Sequence, residues 1–285
     1  MPSTTIGGCK IQYEVLGVSG PPIALTPGGR AAKEATLPLA EALAKRCRVL
    51  VWDRRNCGAS DVYIGPEQSE QELWADDLAE LLRQLGMAPA HVMGGSAGSR
   101  VSLLTAIRHP RVVKALTLWS VSGGPFASQV LGHDYHVPFM RAAQTGGMAA
   151  VAKTAFFAER IQADASNRER LLGMHAEQFA ETMMRWDAFF YPQPDMPTIG
   201  TTESQLRGIR APTLVFEGND DIHCKEASDA VAQLVPGAIY VPCPWTREDF
   251  MAHYTGKRTG GVMQSLYPLM TPRILEFIDR VERKR

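Results

Sequence analysis

Apolar and polar positions alternate through the chain in two rhythms. Lys10–Leu16 alternates with period two, as an exposed strand does. Pro22–Thr26, Arg48–Asp53, His91–Gly94 and Lys114–Ser120 are short, nearly continuous apolar runs. Runs of that kind suit strands covered on both faces, as in a parallel sheet. Between them lie segments of helical period. Ala35–Lys45 is one, and Ala97–His109, closed by Pro110, is another. In Glu70–Leu85, residues Leu78, Leu81, Leu82 and Leu85 form one apolar face and Gly86 follows as a stop. Strand and helix alternate, so right-handed crossovers predict a mostly parallel sheet with helices on both faces, an α/β fold.

The rhythm breaks at Ser122-Gly123-Gly124-Pro125. From there to about Arg210 the pattern is helical and lacks a strand, with Ala142–Ala158 and Asn167–Met184 predicted as helices. Sheet logic returns with a strand at Pro212–Glu217, a helix at Ala227–Leu234, a strand at Ala238–Val241 and a final helix marked by Ile274, Phe277, Ile278 and Val281. The chain therefore divides into a first core part at 1–124, a helical insertion at 125–210 and a second core part at 211–285. At roughly 80 residues the insertion is too long for a plain loop.

Composition narrows the function. The 285 residues carry 30 Lys plus Arg and 30 Asp plus Glu, so no surplus of positive charge suggests a nucleic-acid surface. The basic tail Arg280, Arg283, Lys284 and Arg285 suits the C-terminal end of a helix. No apolar run reaches the ~20 residues of a membrane span, and Met1–Lys10 lacks the charged-then-apolar order of a secretory signal. Cys9, Cys47, Cys57, Cys224 and Cys243 are odd in number and widely spaced, which is expected of reduced thiols in a cytoplasmic protein. The expected partner is a small-molecule substrate, without nucleic acid or membrane.

The sharpest chemical signal is Gly94-Gly95-Ser96-Ala97-Gly98 between a predicted strand and a predicted helix. This fits G-x-S-x-G, where a serine sits on a tight turn flanked by residues almost free of side chain, and the following helix aims its positive end at a developing oxyanion. Three other segments end predicted strands: Thr26-Pro27-Gly28-Gly29-Arg30, Asp53–Ser60 and Gly218-Asn219-Asp220-Asp221. Ligands bind at strand C-terminal ends in open α/β sheets.

On these residues the chain resembles the α/β-hydrolase superfamily, and is most similar to the branch of prolyl iminopeptidases and the small esterases and carbon–carbon hydrolases related to them. Gly94–Ser99 resembles the iminopeptidase elbow, with Ala97 where that enzyme has tryptophan. Asp53–Ser60 resembles its aspartate–arginine–glycine–cysteine–glycine–serine segment, with Asn56 replacing a glycine; asparagine tolerates positive φ well. The resemblance covers the core and weakens in the insertion, which in this fold is a cap over the serine. It implies Ser96 as nucleophile, the N–H groups of Gly29 and Ala97 as oxyanion hole, and Asp221 as the acid orienting a histidine, with Asp220 as the alternative. It also implies a histidine soon after the last strand, but Pro242-Cys243-Pro244-Trp245-Thr246 stands there. His253 is then the candidate base, with His223, His133 and His136 as alternatives, or no histidine at all.

Arg30 is unusual at this place in the loop, and is either solvated or set against a substrate carboxylate. Trp186, Phe189 and Phe190 either line an apolar pocket or form the insertion's own core. His133, Asp134 and His136 do not match a known metal site. The function expected is a serine hydrolase of small or medium, largely apolar esters, lactones or amides, needing no cofactor and no metal. Prolyl-peptide or carbon–carbon bond hydrolysis is the near alternative; a cofactor-free lyase, oxygenase or ligand receptor on the same fold is the distant one.

Overall fold

The structure is a computed structural model and describes residues 2–257 and 264–283. Among the described residues eight strands form one sheet: β1 (Ser3–Ile6), β2 (Cys9–Leu16), β3 (Pro22–Thr26), β4 (Arg48–Trp52), β5 (Ala90–Gly95), β6 (Val113–Trp119), β7 (Thr213–Phe216) and β8 (Ile239–Val241). Their order is β1-β2-β4-β3-β5-β6-β7-β8, with β1 and β2 antiparallel and β4 to β8 parallel through β3. The α/β expectation of a mostly parallel sheet is met. Strand β1 gave no clear sequence pattern, because a four-residue edge strand with mostly exposed side chains carries too little alternation to stand out.

Each central strand splits its side chains between two cores, as period two requires. Ala24, Leu50, Trp52, Val92, Leu116 and Val215 face helices α2 (Glu70–Gln84) and α3 (Ala97–Arg108), with α8 (Glu203–Gly208) and α9 (Lys225–Leu234) beyond them. Ile23, Leu25, Val49, Val51, Met93 and Phe216 face α1 (Leu37–Ala44), α10 (Arg247–Tyr254) and α11 (Thr271–Arg283). Burying a Leu or Ile side chain in such layers stabilises by about 1.5–3 kcal/mol, and the sheet buries such residues on both faces. Helix α2 starts cleanly because Ser69 and Glu72 form a reciprocal capping box.

Between β6 and β7 lie α4 (Gly124–Val151), α5 (Ala155–Ala163), α6 (Ser166–Leu172) and α7 (Ala176–Ala188), followed by α8. The helix expected at Ala142–Ala158 is instead the end of α4 and the start of α5. The one expected at Asn167–Met184 is α6 and α7, parted near Gly173. Helix α4 itself leaves helical geometry at Gly146 and Gly147. Phe139, Met148, Val151, Phe157, Phe179, Met183 and Trp186 pack together, and this cluster seats on Val62 and Leu73 of the core.

Lys284 and Arg285 of the basic tail lie outside the described residues, as does part of the segment between His253 and Pro272. Among the described residues no helix is long and apolar enough to cross a membrane.

Helix α3 lies so close to β3 that a Cβ on Gly98 would collide with the Thr26 carbonyl oxygen. Gly98→Ala is expected to destabilise by about 1–3 kcal/mol, read as a drop of several degrees in Tm. A variant that melts with the wild type would contradict this close approach.

Candidate active site

The serine turn joins β5 to α3. Ser96 has φ 56° and ψ −118°, a conformation that costs a non-glycine residue on the order of 1–3 kcal/mol. Its N–H is held by the carbonyl oxygens of Ser120 (3.0 Å) and Trp119 (3.3 Å) at the end of β6. A Cβ on Gly94 would strike the Gly98 backbone, so the turn closes only without side chains there. The Ser96 side chain does not cap its own helix and the residue is half exposed, leaving Oγ available above the N-terminus of α3.

The loop after β3 faces this turn. Gly28 lies against the Ser96 side chain, and Gly29 has φ 51°. Positive φ is easy for glycine and lets the bare backbone turn toward the serine. Arg54, fully buried, clamps the loop from below: Nη1 donates to the Gly29 carbonyl (2.9 Å) and Nη2 to that of Ala31 (3.0 Å), with the guanidinium 4.5 Å from the Trp74 ring centroid. Asn56 stands at φ 66° beside it, donating to Glu70 and accepting from the Tyr63 N–H.

The acid and histidine pair differently from the expectation. Asp221 is exposed, and its carboxylate meets Arg247 at 2.6 Å. His253 sits on α10 and its Nδ1 is 2.7 Å from the Asp249 carbonyl of its own helix. Asp221 and His253 are not brought together. Asp220 and His223 are, in a curl of the loop after β7. His223 Nδ1 lies 2.8 Å from Asp220 Oδ2, while Asp220 Oδ1 accepts the N–H groups of Ile222 and His223, each at 2.9 Å. Both residues are buried. Burial pushes the Asp220 carboxyl up, but its bonds to His223 and to the loop N–H groups outweigh this and hold it below its ordinary range. A charged Asp220 accepting from Nδ1–H places the lone pair of the imidazole on Nε2. That Nε2 is buried, with no hydrogen-bond partner among the described residues.

The position after β8, where a histidine was expected, is filled by Trp245. Its ring is buried against Tyr267, which in turn packs edge-on to Trp119.

Arg30 is not solvated. Its Nη2 and Nε meet Glu70 Oε2 at 2.6 and 3.0 Å, and Nη1 donates to the Tyr135 carbonyl. Its positive charge is thus already matched. Trp186 belongs to the insertion's core and donates from Nε1 to the Gln68 carbonyl. Phe189 fills the space beside Gly200. Phe190 instead lies buried among Tyr135, His136 and Arg100, at 5.7, 5.5 and 5.2 Å. Arg100 gave no motif signal; the available hint was a lone cation within the apolar run of α3, four residues after Ser96.

His133 and Asp134 are exposed, whereas His136 is buried. Among the described residues no group of three or more His, Cys, Asp or Glu side chains is arranged to hold a metal.

Fold and elbow define the class, and the family model described as "alpha/beta hydrolase fold" matches residues 21–241. The chain belongs to that family. A relative from Azorhizobium caulinodans that carries a carbamate-hydrolase name, RutD, is 28% identical over 258 residues, 88% of this chain and 93% of its own. Among solved structures, the enol-lactonase from Burkholderia xenovorans LB400 superposes with TM-score 0.63 at 23% identity, covering 98% of this chain and 100% of its own. A thermophilic esterase from Thermogutta terrifontis gives TM-score 0.60 at 21% identity, covering 98% and 97%.

His136 generates a pH prediction. Burial holds its imidazole below the ordinary pKa, against the opposing pull of Asp187. The folded protein therefore binds this proton less readily than the unfolded chain. Stability is full above about pH 6.5 and falls as the pH drops below it. His136→Asn is expected to flatten the decline in Tm between pH 7 and 5; an unchanged slope would contradict the assignment.

Proposed function

We propose that this alpha/beta hydrolase is a serine hydrolase of small or medium carboxylic esters and lactones, with amides of the same acyl groups as slower substrates. The observation that carries the reading is the Asp220–His223 couple with its buried, unpartnered Nε2, one strand away from the neighbour of the strand that bears Ser96. Two strand spacings separate the ends of β5 and β7 by about 10 Å, a gap that a serine and a loop histidine can bridge from either side.

In this reading Ser96 Oγ attacks the substrate carbonyl and His223 Nε2 takes its proton. Asp220 fixes the imidazole tautomer and stabilises the cation that forms. The N–H groups of Gly29 and Ala97 receive the oxyanion. His223 then returns the proton to the leaving alcohol. Water, activated by the same histidine, hydrolyses the acyl-enzyme. The helices α4 to α7 act as a cap, with Phe190 on the substrate side and Trp186 as structural support. The enol-lactonase and esterase names among the neighbours favour oxygen esters over peptide or carbon–carbon bonds. Free Cys9, Cys47, Cys57, Cys224 and Cys243 fit a reducing, cytoplasmic setting.

The test is intact-mass spectrometry after treatment with a fluorophosphonate. Wild type is expected to take up one phosphonyl group, on Ser96. Ser96→Ala abolishes this, and His223→Ala or Asp220→Asn slows it by about 10³-fold or more. His253→Ala and Asp221→Asn stay close to wild type. Loss of labelling in His253→Ala with retention in His223→Ala would reverse the assignment. A folded wild type that never labels would instead favour a non-hydrolytic protein, a reading to which the Trp245 ring after β8 already lends some weight.

A further inference from the structure

Four arginines converge under the cap and around the loop after β3. Arg30, Arg54, Arg100 and Arg160 have buried guanidinium groups. Arg160 donates to the carbonyl oxygens of Arg30 (2.8 Å) and Asn56 (3.2 Å), so it sits on the same loops. Glu70 is the buried carboxylate among them and pairs with Arg30; Glu159, beside Arg160, has a side chain 68% exposed. Among the described residues, Arg54 hydrogen-bonds backbone carbonyls and stacks on Trp74 without a carboxylate partner. The cluster is therefore rich in positive charge. Burying a cation without a carboxylate is costly, and proteins retain such violations mainly where function needs them.

Arg100 is the group that points to a ligand. It is 1% exposed. Its Nε donates to Gln71 Oε1 at 3.2 Å and its Nη1 to Ser122 Oγ at 2.5 Å, both neutral acceptors. Its Nη2 is buried without a direct hydrogen-bond partner among the described residues. Burial depresses its pKa, although a guanidinium stays charged. Its place is tied to the serine. Arg100 is one helical turn after Ser96, and helical side chains lean toward the N-terminus, so its stem rises toward the serine turn. Ser122 is two residues beyond Ser120, whose carbonyl holds the Ser96 N–H. The Tyr135 side chain interacts with the same guanidinium and the more distant charge of Glu70 reaches it too, while the Tyr135 hydroxyl comes within 3.8 Å of where a Cβ on Gly29 would stand. The wall over Arg100 is Phe190 and Tyr135, both from the insertion.

We propose that Arg100 is a specificity residue of the Ser96 site, and that the substrate is an ester or lactone that also carries a carboxylate. This rests on the serine-hydrolase reading above and narrows it, since a largely apolar substrate would leave the charge unmatched. The free Nη2, beside Nη1, offers a guanidinium edge to two carboxylate oxygens. Tyr135 and Phe190 must give way for the acid group to enter, which assigns the entry path to the cap. Arg30, matched by Glu70, holds the loop and does not bind the acid.

The test compares two nitrophenyl esters with six-carbon acyl chains, the hexanoate and the monoester of adipic acid, together with calorimetry of adipate itself. Wild type is expected to prefer the adipate ester in kcat/KM by about 10–100-fold and to bind adipate. Arg100→Gln is expected to reduce that preference at least about tenfold and to abolish adipate binding. Arg100→Lys, which keeps the charge but not the planar edge, should restore part of both. Should Arg100→Gln fail to fold, wild type against Arg100→Lys decides. A protein that labels at Ser96 yet shows no preference for the adipate ester overturns this proposal and leaves the serine-hydrolase reading standing. If Ser96 does not label, that reading fails, and calorimetry still decides here. Adipate binding lost in Arg100→Gln supports the anion site; no binding to wild type overturns it.

Discussion

The backbone of Ser96 is forced into a conformation that few side-chain-bearing residues adopt, and much of the candidate site is arranged around holding it there. The turn cannot relax in either direction. Ahead of it Gly94 leaves no room for a Cβ against Gly98, and behind it Gly98 leaves none against the Thr26 carbonyl. From the side, the end of β6 takes its N–H. The strain is opposed by three adjacent strands, β3, β5 and β6, which are buried on both faces and stabilise the sheet far more than the turn costs. A serine so held would, as the proposed nucleophile, need little reorganisation when it reacts, which is where a preorganised site gains most.

Around that turn the chain places fixed charge. Arg54 below the Gly28–Ala31 loop holds the Gly29 and Ala31 carbonyls pointing inward, which fixes the backbone of that loop beside the serine turn. Asp220 and His223 form a second rigid unit, closed by two N–H bonds within four residues. The remaining buried cations have too few buried carboxylates to match them, and the substrate's own charge is the balance proposed here. Fold, turn and charge thus connect: the same loops that pack beside Ser96 also concentrate the positive potential that would draw in the proposed acid-bearing ester.

Much of the core was legible because its period-two and period-3.6 patterns are strong. Pro22–Thr26 and the β5–Ser96–α3 junction are where the residues said they would be. Three features were harder to read. Helix α4 contains Pro138 and a Gly146-Gly147 break, and its small and polar residues give it no clear apolar stripe. Asp220 and Asp221 are adjacent and chemically identical; the loop's curl alone turns one inward to His223 and the other outward to Arg247. That curl depends on backbone bonds that composition does not announce. The burial of Arg100 was hidden for a related reason. A cation on a helix normally snorkels to water, and nothing local in the sequence shows that Gln71, Ser122 and Phe190, distant along the chain, close over it.

The central claim is that Ser96 and the Asp220–His223 couple form one reacting unit. A crystal structure of the protein after reaction with a fluorophosphonate tests it most directly. The account predicts phosphorus on Ser96 Oγ and His223 Nε2 within about 3.2 Å of that oxygen or of the phosphonyl group. It also predicts the phosphonyl oxygen between the N–H groups of Gly29 and Ala97. An adduct on Ser96 with His253, or with no histidine, at that distance would contradict it.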